Sequence, residues 1–225
     1  TFTELLPGEL TGFDGIPELT ITALPVYHGE KATGSILLAF QIKTPGGETR
    51  KIIFTGDILC PLLRKADYRF LNNASMLFAD ANNRFPYPAS NHWSITYESP
   101  AASADATDTP GESKYLRSFR EHISCTHLIA THLPILRHSR IHAYFDEFLA
   151  YCDERIPLSV FEFVERINPG KVCLVHYGGM EDRNHHGESL LNPVQLENWT
   201  NAKAELKGLA SSFLVPRPGD IYEIA

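Results

Sequence analysis

The chain has 225 residues, 43% of them hydrophobic, with a formal net charge of −7 and a pI near 5.8. That is enough apolar material for one large domain or two small ones with packed cores. The acidic balance excludes a general polyanion-binding surface, while leaving room for a phosphate held locally in a metal-lined cleft.

No apolar run approaches the roughly 18 residues that a membrane-spanning helix needs, so no membrane partner is expected. Cys60, Cys125, Cys152 and Cys173 are scattered, without a Cys-x-x-Cys pair or a dense framework. Reduced, buried thiols in a cytoplasmic protein are the plainer reading. The chain opens on Thr1 with no targeting character, and an N-terminal portion lost or separated from this polypeptide is expected.

In chain order, residues 1–18 are rich in Gly and Pro and read as a turn-laden opening. Residues 20–27 have strand density, and residues 35–42 are a near-continuous apolar run. Thr44-Pro45-Gly46-Gly47 signals a turn, after which residues 51–55 return as the partner strand of a hairpin ending in Gly56-Asp57. Residues 75–80 form another strand. Residues 99–113 shift to Ala, Ser, Asp, Thr, Pro and Gly and predict a mobile loop.

A helical block follows over about 114–168. Apolar residues recur at helical spacing at Leu116, Phe119 and Ile123; at Ile141, Tyr144, Phe145, Phe148, Leu149 and Cys152; and at Val160, Phe163, Val164 and Ile167. Residues 127–131 are apolar enough for a short strand between the first two of these helices. After Asn168-Pro169-Gly170, residues 171–175 form a strand leading to His176. Asn192-Pro193-Val194-Gln195 carries a helix-start signature, with Asn as cap and Pro in the first helical position, for a helix to about Lys207. Residues 212–216 and 220–224, separated by Pro218-Gly219, predict a closing hairpin. Strands, helices and antiparallel hairpins together predict a mixed α/β sandwich without internal repeats.

Three apolar runs end in ligand-type side chains beside glycine. Lys51-Ile52-Ile53-Phe54-Thr55-Gly56-Asp57 ends in a carboxylate, and the runs before His28 and His176 each end in an imidazole. A lone histidine at a strand end is more often a hydrogen-bonded structural residue than a ligand. Three such ends carry more weight, because imidazole and carboxylate are the ligand pair suited to zinc, iron or manganese, and a strand end presents them rigidly.

The run His28-Gly29, then Gly34-Ser35-Ile36-Leu37-Leu38, then Ile52-Ile53-Phe54-Thr55-Gly56-Asp57 resembles the second half of a metallo-β-lactamase-fold hydrolase. In that family a His-Gly or His-Thr turn precedes a Gly-Ser or Gly-Tyr strand, and Thr-Gly-Asp supplies the metal-bridging aspartate. His176, in Val172-Cys173-Leu174-Val175-His176-Tyr177, is similar to the family's last metal-binding histidine, and Pro218-Gly219-Asp220-Ile221-Tyr222-Glu223-Ile224 resembles its terminal strand. The resemblance covers roughly residues 20–80 and 171–225, with 82–169 reading as an insertion or a divergent segment. The family's upstream signature, His-x-His-x-Asp-His, does not occur in the chain.

The resemblance implies an αββα four-layer sandwich with mixed sheets, of which the chain is the C-terminal part within a single partial domain, 1–225. The N-terminal half of the fold would come from the same or another chain. It also implies metal-dependent hydrolysis with two divalent metal ions, zinc first and manganese or iron as alternatives. Asp57 would bridge the metals and orient a hydroxide between them, His28 would bind the first metal and His176 the second.

His132, at the end of another apolar run, is a candidate for substrate contact or proton donation. Asp80 is a candidate hydrogen-bond acceptor for a ligand histidine. The stretch from His176 to Arg183 is faintly similar to the His-aromatic-Ser-x-Arg tail of the phosphodiesterase and ribonuclease Z branch. This gives a slight lean to phosphoester over other small-molecule substrates, with Arg183 meeting the phosphate through paired donors. His185-His186 read as loop surface, and His122, His138 and His142 as packing or solvent-facing. A non-catalytic scaffold or binding subunit of the same fold is the alternative. No Gly-x-Gly-x-x-Gly or phosphate loop supports a nucleotide-binding module.

Overall fold

The computed structural model of the protein describes residues 4–28, 34–81, 139–151, 156–157, 159–177 and 192–222. The predicted loop at 99–113, the helix around Leu116, the strand at 127–131 and the imidazoles of His122, His132, His138, His185 and His186 lie outside them, as does Arg183.

Among the described residues eight strands build the sheet: β1 (Leu10–Phe13), β2 (Ile16–Tyr27), β3 (Ile36–Lys43), β4 (Thr49–Phe54), β5 (Cys60–Pro61), β6 (Met76–Asp80), β7 (Lys171–Val175) and β8 (Ser212–Leu214). Four helices accompany them among the described residues: α1 (Lys65–Leu71), α2 (Ser139–Tyr151), α3 (Val160–Ile167) and α4 (Pro193–Leu206). The strand order is β1-β2-β3-β4-β6-β7-β8, with β5 on the far end of β2. β1 to β4 form an antiparallel meander, whereas β4, β6, β7 and β8 run parallel. This is the mixed α/β class that the sequence predicts. The described residues form one mixed sheet with its helices.

The opening residues differ from the turn-laden expectation. Leu10–Phe13 pairs antiparallel with β2, across a turn at Asp14-Gly15. Asp-Gly is a strong hairpin signal in its own right, and the Gly and Pro content around it masks the strand. The closing hairpin also differs. β8 forms and joins the sheet parallel to β7, but Asp220–Tyr222 is not a strand. Asp220 Oδ2 instead accepts hydrogen bonds from the Arg217 amide and the Tyr222 hydroxyl, both at 2.8 Å, which closes a local turn.

The edge of β8 is covered by side chains. Asn201 on α4 donates from Nδ2 to the Phe213 carbonyl at 2.8 Å and accepts from the Phe213 amide at 2.9 Å, so its amide group stands where a neighbouring strand would be. The cap at Asn192 forms as predicted: its side chain accepts from the Gln195 amide and the Gln195 side chain accepts from the Asn192 amide.

One sheet face carries the core. Leu37, Ala39, Ile53, Leu77, Ala79, Val172, Leu174 and Phe213 alternate along adjacent strands and are buried against Tyr144 and Phe148 of α2, Phe163 and Val164 of α3, and Leu196 of α4. The other face is also apolar but only part-covered around β3 and β4. Phe78 stacks on Phe54 with ring centroids 4.3 Å apart, Phe40 meets Phe54 edge-on at 5.5 Å, and Ile36 and Phe54 remain 45% and 40% exposed.

A buried polar cluster fixes α1 against α2, and no sequence pattern announces it. Asp67, 3% exposed, accepts from the Arg64 amide (2.8 Å) and guanidinium (2.9 and 3.1 Å) and from the Tyr144 hydroxyl (2.8 Å). The Arg64 guanidinium lies over the Tyr144 ring, 4.2 Å from its centroid. Gly8, with φ of +74°, passes so close that an added Cβ would collide with Arg64. Removing one partner of such a buried pair leaves the other charge uncompensated. Asp67→Ala is therefore expected to lower stability by about 3 kcal/mol or more, read from the urea midpoint, whereas Glu147→Ala, which removes only an exposed partner of Arg64, is expected to cost under about 1 kcal/mol.

Candidate metal centre

Parallel strands in register deliver their C-terminal ends to one edge of a sheet, where ligands ordinarily collect. Ala23, Leu38, Phe54, Phe78 and Cys173 form one continuous row across β2, β3, β4, β6 and β7. Asp80 lies two residues beyond Phe78 on this row, Asp57 three beyond Phe54, and His176 three beyond Cys173. Each strand thus ends in a donor at nearly the same height.

The side chains converge. His176 Nδ1 lies 3.3 Å from Asp57 Oδ1 and 3.2 Å from Asp80 Oδ1. One ligand atom from each of the three residues falls within 4.8 Å of the other two. Asp57 and His176 are open to solvent, with side chains 57% and 60% exposed, whereas Asp80 is buried. A cation held there would have a rigid, dry donor on one side and an accessible face on the other.

Local backbone conformations aim these groups. Gly56 has φ of +62°, and a Cβ there would meet the Ile36 carbonyl at 3.1 Å, so the turn that directs Asp57 admits glycine. His176 is a non-glycine residue at φ +56°, a strained conformation of the kind that clusters at functional sites. The following Tyr177 hydroxyl donates to the Pro216 carbonyl at 3.0 Å and anchors the turn.

Asp80 Oδ2 accepts from the Ile58 amide at 3.2 Å, leaving Oδ1 toward His176. Burial pushes the Asp80 carboxyl up to about 6, reinforced by the Asp57 charge and opposed by the Ile58 hydrogen bond and His176. Two carboxylates forced together at one solvent-accessible edge are relieved by a divalent cation, and two oxygens with one imidazole nitrogen suit zinc, manganese or iron.

His28 lies at the end of β2, which runs parallel to β4 at the same edge. Tyr27 pairs with Cys60 and its carbonyl accepts from the Leu59 amide at 2.7 Å, so His28 stands beside the loop that follows Asp57. Its Nδ1 is buried and finds no hydrogen-bond partner among the described residues. Its donors are not part of the three-residue cluster. His142 is exposed on α2. Sequence alone assigns Asp80 a supporting role, and its place at the end of an apolar run is the available signal for more. Nothing in the sequence marked the Ile58 amide.

No family profile matches the chain, and no curated protein matches it. Among solved structures, the chain is similar to the metallo-beta-lactamase fold protein YhfI from Bacillus subtilis, at 11% identity and a TM-score of 0.43, over 98% of this chain and 54% of that one. It is also similar to a variant of CmlA beta-hydroxylase, at 12% identity and a TM-score of 0.43, over 94% of this chain and 32% of that one. The chain thus spans about half the length of the first and a third of the second.

The Asp80 shift has a sign that can be tested. Its carboxyl titrates at 3.8 ordinarily and at about 6 in the folded chain, so the folded state keeps a proton that the unfolded state has lost between those values. The contribution is fully present below about pH 4 and is lost as pH rises through about 6. With metal removed by EDTA, the urea midpoint is expected to fall across this window, and Asp80→Asn is expected to flatten the fall.

Proposed function

We propose that the chain is the C-terminal, metal-holding part of a metallo-β-lactamase-fold metal-dependent hydrolase. The observation that carries this reading is the convergence of Asp57, Asp80 and His176, both carboxylates lying within 3.3 Å of His176 Nδ1, at the ends of three adjacent parallel strands. The buried Nδ1 of His28 at the same edge, which has no hydrogen-bond partner among the described residues, supports it, because such a nitrogen is relieved by a cation or by a ligand carrying a proton. The apolar sheet face bearing Phe40, Phe54 and Phe78 supports it too, since sheets with parallel strands are ordinarily covered on both faces, and a second sheet supplied from the same or another chain would cover this one.

When bound, divalent cations acidify water and polarise a scissile carbonyl or phosphoryl group. The chain's own residues do the rest. Asp57, accessible and one hinge from Gly56, has two carboxylate oxygens and can serve two cations. Asp80 is held by the Ile58 amide and would offer Oδ1, 3.2 Å from His176 Nδ1, to the cation that His176 and Asp57 share. His28 would serve the first of two cations and His176 the second, zinc first among the candidates. His132 would contact substrate or move a proton, and Arg183 would meet an anionic substrate group through paired donors, with phosphoesters favoured over other small molecules. Cytoplasmic placement accompanies this reading.

A non-catalytic binding subunit of the same fold is the second reading, favoured by the presence of only three clustered donors among the described residues. Metal analysis and activity decide between them. In the complete protein, this chain together with the N-terminal half of the fold, about two equivalents of zinc, manganese or iron are expected by mass spectrometry, together with turnover of a phosphodiester in a panel that includes a thioester and a lactone. Asp57→Asn and His176→Ala are each expected to lower that turnover by on the order of a hundredfold or more. One equivalent or none, with no turnover across the panel, supports the binding subunit.

A further inference from the structure

We propose that Thr55 is the positioning residue that locks the two carboxylates of the metal centre to one another, an inference that rests on Asp57, Asp80 and His176 binding a cation. Thr55 is fully buried at the end of β4. Its amide donates to the Phe78 carbonyl at 3.0 Å, which is the last rung of the β4–β6 ladder. Beyond that rung the backbone of β4 turns away through Gly56, and the Thr55 hydroxyl continues the connection. Oγ1 accepts from the Asp80 amide at 2.9 Å and donates to the Gly56 carbonyl at 2.8 Å.

The two bonds act on different parts of the site. The Asp80 amide fixes the strand position from which the buried carboxyl projects. The Gly56 carbonyl belongs to the peptide that joins Gly56 to Asp57, so holding it fixes the plane from which the exposed carboxyl swings. One oxygen atom thus sets the relative placement of two donors on different strands. The pair would otherwise be free to separate, since like charges repel and Gly56 offers little resistance. A hydroxyl is required for this: it supplies one donor and accepts at the same time, and a methyl of equal size does neither. Threonine at 55 therefore contributes to the site without touching a metal, substrate or reacting atom.

Zinc binding to the full chain, measured by competition with a chromophoric chelator, tests this, with the cobalt(II) visible spectrum reporting donor geometry. Thr55→Val is expected to weaken zinc binding by about tenfold to a hundredfold and to alter the cobalt spectrum while the circular dichroism stays that of the parent. Thr55→Ser, which keeps both hydrogen bonds, is expected to bind zinc within a few-fold of the parent. If Thr55→Val does not fold, Thr55→Cys, with a weak donor and acceptor, is expected to fall between the serine variant and the loss stated for valine. Parent-like zinc affinity and cobalt spectrum in Thr55→Val, or equal losses in the serine and valine variants, overturn the role of Thr55 and leave the metal centre standing. A parent chain that binds no zinc overturns the metal centre itself.

Discussion

Two carboxylates are held side by side where mutual repulsion should drive them apart. The parallel ladder of β4, β6 and β7 imposes this, because its register brings Asp57, Asp80 and His176 to one edge whatever their electrostatic preference. Backbone hydrogen bonding across three strands, backed by the core residues Ile53, Leu77, Val172 and Leu174, supplies the stability that the edge spends. Burial, reinforced by the Asp57 charge, pushes the Asp80 carboxyl up to about 6, and the non-glycine residue His176 is held beside it at φ +56°.

The asymmetry between the donors gives the site its chemical character. Asp80 is buried and fastened from two sides, by Ile58 at its carboxylate and by Thr55 at its amide. Asp57 and His176 face solvent. A centre with one immobile donor and two accessible ones suits a cation that must stay bound while exchanging a ligand on its open side. His28 stands at the same edge from the antiparallel half of the sheet, outside the three-residue cluster.

Much of this is written in local sequence, and the exceptions have physical causes. The strands ending at Phe54, Asp80 and Val175 are continuous apolar runs stopped by Gly, a carboxylate or a histidine, so their positions and their ligand-type ends are legible. The α4 cap is legible for the same reason, since Asn192, Pro193 and Gln195 act within one turn. What sequence does not carry is relative height: only the pairing of Phe54 with Phe78 and of Phe78 with Cys173 makes Asp80 a neighbour of both Asp57 and His176. The Arg64–Asp67–Tyr144 cluster and the Thr55 hydroxyl are hidden likewise, because their partners lie far along the chain. The β1 hairpin at Asp14-Gly15 was legible in principle and was obscured by surrounding glycines.

The most direct measurement is anomalous diffraction at the zinc edge from crystals of the chain grown with zinc. A peak bonded to Asp57, Asp80 and His176 together is the expected result. Zinc bound elsewhere, with those three side chains carrying no density between them at saturating metal, would contradict a metal centre at the parallel-strand edge.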